Sequence, residues 1–248
     1  MAARAYIGTS GWNYKHWRNL IYPPRFPQKH WLPFQAERFD TVEVNTSFYR
    51  IPTPETIHAW QQATPPHFVF ALKLWRGITH YKKLNDAGEF NARFLEVADN
   101  LEPARRGPLL VQLPPNQGKD IEKLQKYLRE LRGLMKTHWL VAVEFRHVSW
   151  LDPEVYRMLD EEDAAVCLHD MVGKAETDTP NDASFRYVRR HGTAGGRYSG
   201  SYSPEQVEAD AVRIRGWVAE GRSVYVYYNN DIGGHAFWNA EHLKRAVS

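Results

Sequence analysis

The chain has a single cysteine, Cys167, which rules out an intrachain disulfide and a cysteine-ligated zinc site. It lies in the strand-like run Ala164-Ala165-Val166-Cys167-Leu168 and reads as a buried structural thiol. No apolar run reaches membrane-spanning length and no signal-peptide pattern follows Met1, so a soluble cytoplasmic protein with no membrane partner is expected. Lys and Arg form no block long enough for a nucleic-acid-binding arm. The formal net charge of +3 permits an anionic ligand without demanding nucleic acid. No His-x-His or His-Glu-x-x-His pair is present, and Gly8-Thr9-Ser10-Gly11 lacks the glycine spacing of a dinucleotide fingerprint.

What the chain does have is a repeating unit. With 43% hydrophobic and 13% aromatic residues over 248 positions it can bury a full core. Strand candidates occur at Ala5–Thr9, Thr41–Asn45, His67–Lys73, Pro108–Gln112, from Val141, Ala164–Leu168, Ser184–Gly192 and Ser223–Asn229. Helix starts fall between most of them. Thr53-Pro54, Asp120, Asp152-Pro153 and Ser203-Pro204-Glu205-Gln206 read as caps, the last as a capping box. Further helices carry Phe90, Phe94, Val97 and Leu101, and start near His235; Lys174 to Asp182 reads as a polar loop. Eight alternating strands without an internal linker predict one α/β domain over 1–248, a single (β/α)8 TIM-type barrel with strand one beside strand eight. An open doubly wound sheet is the alternative.

The polar residues closing the strands locate the candidate site. Side chains two apart on a strand share a face, so Glu144 and Arg146 point the same way from the end of an apolar run. Burying such charges costs several kcal/mol, on the order given by continuum arguments, unless they are paired or used. Glu43, Asn45, Lys73, Gln112, Asp170, Arg189, His191 and Asn229 end other strands. In a barrel these ends line the active mouth. Ion-pair networks also plug barrels, so each residue taken singly admits a structural reading. Of the 33 aromatics, 11 fall in the first 50 residues; Trp12, Tyr14, Trp17 and Tyr22 either pack a long loop or wall a ligand.

These motifs resemble the YecE-like family, a group of uncharacterised proteins defined as a domain of unknown function. The resemblance rests on Gly8-Thr9-Ser10-Gly11-Trp12 with Tyr14 and Trp17, and on Val42-Glu43-Val44-Asn45 leading to Phe48-Tyr49-Arg50. It continues through Lys73 with Ile78-Thr79-His80, Gln112-Leu113-Pro114, and Glu144-Phe145-Arg146 with Ser149-Trp150. It closes with Arg189-Arg190-His191-Gly192, Asn229-Asn230-Asp231, Ala236 and Asn239-Ala240. The segment from Lys174 to Asp182 lies outside it. The resemblance implies a barrel of the triosephosphate isomerase type and no particular activity.

Three functions remain open. The preferred one is acid–base chemistry on a small phosphorylated or carboxylated substrate, without cofactor or metal. Glu144 is the expected base, His191, Lys73 and Glu43 its catalytic neighbours. Arg146, Arg189, Arg197, Asn45, Gln112, Asn229, Trp12 and Tyr14 are the expected substrate contacts. Gly192, Gly195 and Gly196, with Gly233 and Gly234 before the last helix, suit an anion at the loops after strands seven and eight. Lys73 suits a Schiff-base nucleophile, but charge pairing with Glu43 or Glu144 is its preferred role. A metal site built from Glu43, Glu144, Asp170, His191 and Asp231 competes, opposed by the cations on the same rim. Nucleic-acid binding or phosphodiester cleavage, and non-catalytic ligand binding, are the other two readings.

Overall fold

The computed structural model describes residues 2–171, 177–193 and 198–248. Its eight strands are β1 (Ala5–Thr9), β2 (Thr41–Val44), β3 (Val69–Lys73), β4 (Arg106–Gln112), β5 (Val141–Glu144), β6 (Ala164–His169), β7 (Phe185–Arg190) and β8 (Ser223–Tyr228). All neighbours run parallel in the order β1-β8-β7-β6-β5-β4-β3-β2. Between the two ends of that order, Ser10 and Glu43 make one parallel bridge, so the sheet forms a nearly closed TIM-type barrel. The expected pairing of the first strand with the last is present, Gly8 lying beside Tyr227.

The helices are α1 (Trp31–Ala36), α2 (Thr46–Tyr49), α3 (Pro54–Gln62), α4 (Gly88–Ala98), α5 (Ile121–Leu134), α6 (Pro153–Glu161), α7 (Pro204–Ala219) and α8 (His235–Val247). Four starts follow the local chemistry seen in the sequence. Thr53, Asp120 and Asp152 each accept a backbone N–H from the first turn, and Ser203 with Gln206 closes the capping box. The short α1 and α2, and a π-helical turn at Gly77–Tyr81, were not expected. They are too short to show a helical period; α2 and the π-helical turn follow the ends of β2 and β3, and α1 lies in the long connection between β1 and β2. The polar loop after β6 is described only in part, since 172–176 fall outside the described residues.

Inside the barrel, small and large side chains alternate. Ala71, Ala142 and Ala165 face Phe185, Tyr187, Tyr225 and Tyr227, all buried in one cluster, with Cys167 among them as expected of a structural thiol. The larger apolar cluster lies between sheet and helices. The β1–β2 seam depends on Gly8, because a Cβ there would run into the Thr41 carbonyl oxygen. That neighbour is backbone and cannot rotate away. Gly8→Ala is therefore expected to lower unfolding stability by about 1–3 kcal/mol, read as a fall in the urea midpoint at unchanged slope. A midpoint equal to wild type would show that the seam opens freely.

Candidate functional site

At the carboxyl ends of the strands, inward side chains change from apolar to charged. Glu43 of β2, Glu144 of β5 and Arg189 of β7 meet there although 146 residues separate the first from the last. Arg189 donates Nη1 to Glu144 Oε2 at 2.6 Å, and Nη2 to Glu43 Oε1 at 2.8 Å. Glu43 Oε2 accepts from the Tyr187 hydroxyl at 2.5 Å, and Oε1 from Ser10. Both carboxylates are wholly buried and Arg189 is 1% exposed. Charges can rest so deep only because each is paired and bonded to neighbouring donors.

Arg146 completes the cluster on the far side of Glu144. Its Nη2 stands against Glu144 Oε1 as an ion contact outside hydrogen-bond geometry, and donates to His191 Nε2 at 3.2 Å. Nδ1 of His191 meets the Asn229 side-chain amide at 3.1 Å. Burial by itself would raise the Glu144 pKa, but Arg146 and Arg189 outweigh it and hold the carboxyl well below its usual range. Burial pushes His191 well down, with Arg189 and Arg146 adding to the effect, so its imidazole is neutral.

Lys73 behaves differently, and one expectation is corrected here. The charge pairing with Glu43 or Glu144 is not formed, because Arg189 and Arg146 already occupy those carboxylates. Among the described residues Lys73 Nζ has no ion pair or hydrogen bond; it stands over the Phe48 ring, 4.1 Å from the centroid. Helix α2 sets this contact. Ser47 donates its hydroxyl to the Lys73 carbonyl at 2.6 Å, which locks Phe48 beneath the ammonium and turns Tyr49 outward. Lys73 is 8% exposed, and burial, then the Arg189 charge, lower its pKa to about 7 against the pull of the two glutamates.

Two cavities open on the mouth, with Lys73, Tyr49 and Tyr198 lining both. The first, of about 420 Å³, is walled by Trp12, Tyr14, Asn45, Trp60, Asn229 and Asp231. Here the choice between packing and ligand wall divides by residue: Trp12 and Tyr14 face the cavity, whereas Trp17 and Tyr22 are buried in the core. The Tyr14 hydroxyl donates to the Ser10 carbonyl, and burial raises its pKa. The second cavity, of about 310 Å³, is lined by Phe48, Arg76, His80, Gln112 and Arg146 among others, and by no carboxylate among the described residues.

Arg76 was not singled out in the sequence, and His80 only as part of the Ile78-Thr79-His80 motif without a site role; both belong to this second cavity. Arg76 lies between Tyr49 and Tyr81, 5.4 Å from each ring centroid, and its buried Nε has no partner. Arg146 Nε is likewise buried without a partner, while its Nη1 contacts the Met171 sulfur. His80 sits in the π-helical turn, edge-on to Phe48 at 4.9 Å, with Nδ1 2.8 Å from the Thr79 hydroxyl. Burial, helped by Lys73 and Arg146, pushes its pKa down to about 4, so it is a neutral imidazole at pH 7. The Ile78-Thr79-His80 motif after Lys73 is the sequence signal that pointed toward His80.

Arg197, Gly195 and Gly196 lie outside the described residues. Of the other expected anion-loop glycines, Gly192 has φ +106°, and a Cβ there would strike the Ser199 carbonyl, so close packing accounts for it. Asp170 is committed to structure: it accepts from the His191 backbone N–H at 2.9 Å and from Tyr202 at 2.7 Å. Among the described residues one group could hold a metal ion, Glu144 with His169 and His191, their donor atoms within 4.8 Å of one another. His169 replaces Glu43, Asp170 and Asp231 of the expected ligand set. Its Nε2 donates to the Phe145 carbonyl at 2.8 Å, leaving Nδ1 as the acceptor nitrogen, which takes the Met171 backbone N–H at 3.4 Å. However, the Arg146 guanidinium already stands against two of the three donors, so a cation would have to displace it.

No helix among the described residues is long and apolar enough to cross a membrane. The fold is shared with a DUF72 family protein of Thermotoga maritima, at a TM-score of 0.86 and 27% identity, covering 98% of this chain and 99% of that one. A DUF72 family protein of Enterococcus faecalis superposes at a TM-score of 0.81 with 21% identity, over 98% of this chain and 95% of that one. In sequence, the chain is 27% identical to the UPF0759 protein YunF of Bacillus subtilis over 96% of this chain and 93% of that protein. It is 30% identical to the UPF0759 protein YecE of Escherichia coli over 57% of this chain and 48% of that one. Residues 6–248 match the family model described as protein of unknown function DUF72, and the chain belongs to that family, the YecE-like proteins.

Proposed function

We propose that the chain is an enzyme acting on a small phosphorylated or carboxylated compound, and that Lys73 rather than Glu144 moves the proton. One observation carries the anionic substrate: Lys73, Arg76 and Arg146 line a single cavity that has no carboxylate among the described residues. Among the described residues, each keeps a donor that no protein group satisfies. Unmet cationic donors around a small void are what an anion's oxygens would satisfy. Gln112 adds a neutral donor to the same wall.

The proton-moving role passes to Lys73 for reasons of basicity and access. Glu144 is a weak base, its pKa held down, and it is wholly buried behind Arg146. An amine titrating near pH 7 shares both protonation states at neutral pH, which suits a general acid or base. Glu43, Glu144, Arg189 and His191 then act as the scaffold that aims Arg146 and sets the field around Lys73. The aromatic cavity beside Trp12, Tyr14 and Trp60 would take the rest of the substrate, with Asn45 and Asn229 as polar contacts.

Inorganic phosphate, titrated against chloride at constant ionic strength, should raise the melting temperature of the wild-type protein. Arg76→Gln leaves no carboxylate unpaired, so it should fold normally and weaken phosphate binding about tenfold, the loss of one charge-assisted contact. Phosphate that fails to stabilise the wild type, or stabilises the variant equally, would overturn the anion site. A second reading is kept for one feature: Tyr49 and Tyr81, 62% and 67% exposed, flank Arg76 on the rim. That is a stacking platform for single-stranded nucleic acid. It requires oligonucleotide binding with a steep salt dependence, abolished together by Tyr49→Ala and Tyr81→Ala.

A further inference from the structure

We propose that Lys73 is a covalent catalyst, forming an imine with the carbonyl carbon of an aldehyde or ketone whose anionic group is held by Arg76 and Arg146. This rests on the anion site above and adds the substrate class and the bond. The position of the amine is the first ground. Lys73 lines both cavities, so a substrate lying across the two would present its middle to this side chain and its anionic end to the arginines. The second ground is that no carboxylate among the described residues pairs with Nζ: Glu43 and Glu144 are occupied by Arg189 and Arg146, and its contact is the weaker cation–π one with the Phe48 ring. An amine with a free lone pair inside an apolar wall is a nucleophile, whereas a salt-bridged one is not. Burial acts in the same direction.

The third ground is His80. It lines the same cavity as Lys73 and is uncharged at neutral pH, and among the described residues its Nε2 has no partner, Nδ1 being engaged with Thr79. The step balances without an oxidant or reductant. The lone pair of Nζ adds to the carbonyl carbon, and the C=O π pair moves to oxygen, which takes a proton from solvent. His80 removes a proton from the nitrogen and returns it to the hydroxyl. The C–O bond then breaks with release of water as the nitrogen lone pair closes the C=N bond. Protonated, that imine draws electrons from the bond to the adjacent carbon, making it a sink for loss of a proton or a carbon group.

Wild-type protein is incubated at pH 7 with sodium cyanoborohydride and, separately, glyoxylate, pyruvate or dihydroxyacetone phosphate, and the alkylated lysines are mapped by peptide mass. With at least one probe, Lys73 should be alkylated about 10- to 100-fold faster than the exposed Lys126, because far more of it is unprotonated. Inorganic phosphate or Arg76→Gln should slow alkylation at Lys73 and not at Lys126. Labelling of Lys73 no faster than Lys126 with all three probes overturns the imine. If phosphate still stabilises the chain through Arg76 in that case, the anion site stands and the pocket binds without covalent chemistry. If that stabilisation is also absent, both proposals fall together.

Discussion

Replacing Arg189 with methionine is expected to cost about 3–5 kcal/mol of unfolding stability at pH 7, the loss seen when a buried ion pair loses one member. The two carboxylates it joins are wholly buried, and the methionine would fill the space without supplying a donor. Glu144 would keep Arg146, but Glu43 would keep only Ser10 and Tyr187. The pH dependence gives an independent check. The folded pKa of Glu144 lies below its unfolded value of about 4.3, so its contribution is fully present above that value and is lost as pH falls through the folded pKa. In Arg189→Met the depression rests on Arg146 and His191, so the difference between wild type and variant should stay level from pH 7 to about 4.3 and shrink only as the pH falls further. Urea unfolding followed by circular dichroism at several pH values measures both. A loss under about 1 kcal/mol at pH 7 would mean that water or rearrangement satisfies the glutamates, and the cluster would not be the pin that holds β2, β5 and β7 together.

That pin shows where sequence reading stops. The same-face relation of Glu144 and Arg146 follows from a two-residue period, and the pair is in contact. The caps at Thr53, Asp120, Asp152 and Ser203 are equally local: each needs only its own side chain and the next three residues. The strand count follows from apolar runs, and the barrel from the count. Partner choice among the polar strand ends is different in kind. Arg189 bonds Glu43 across 146 positions and Glu144 across 45, and no spacing rule says which glutamate a given cation takes. The solitude of Lys73 is a consequence of those choices, so it could not be read before them. Arg76, and the site roles of His80 and His169, were hidden for another reason. The first two stand at and in a π-helical turn, where side-chain direction follows neither the strand nor the α-helix period, and His169 extends β6 one residue past its apolar run.

The same solitude makes Lys73 expensive to the fold, and its removal should be stabilising. A lysine whose folded pKa is near 7 is protonated in the unfolded chain throughout the neutral range, where its value is about 10.4. Between the two values the unfolded state binds the extra proton, so wild-type stability should rise with pH from about 7 toward 10, until other groups titrate. The full gap corresponds to about 4–5 kcal/mol at 1.36 kcal/mol per pKa unit, most of which is already lost from the stability of the folded state at pH 7. Lys73→Met keeps the length of the side chain and its contact with Phe48 while deleting the titration. It is expected to stabilise the protein by about 2–4 kcal/mol at pH 7, the discount allowing for relaxation around a buried amine, and to flatten the rise between pH 7 and 10. Melting curves and urea midpoints across that range measure both effects. If Lys73→Met is less stable than wild type at pH 7, or retains the rise, Lys73 has a partner in solution and is an ordinary structural ammonium. The proton-moving role would fail with it. If the variant is more stable and also loses alkylation at this position, the amine is held unpaired at a cost to folding that only its chemistry explains.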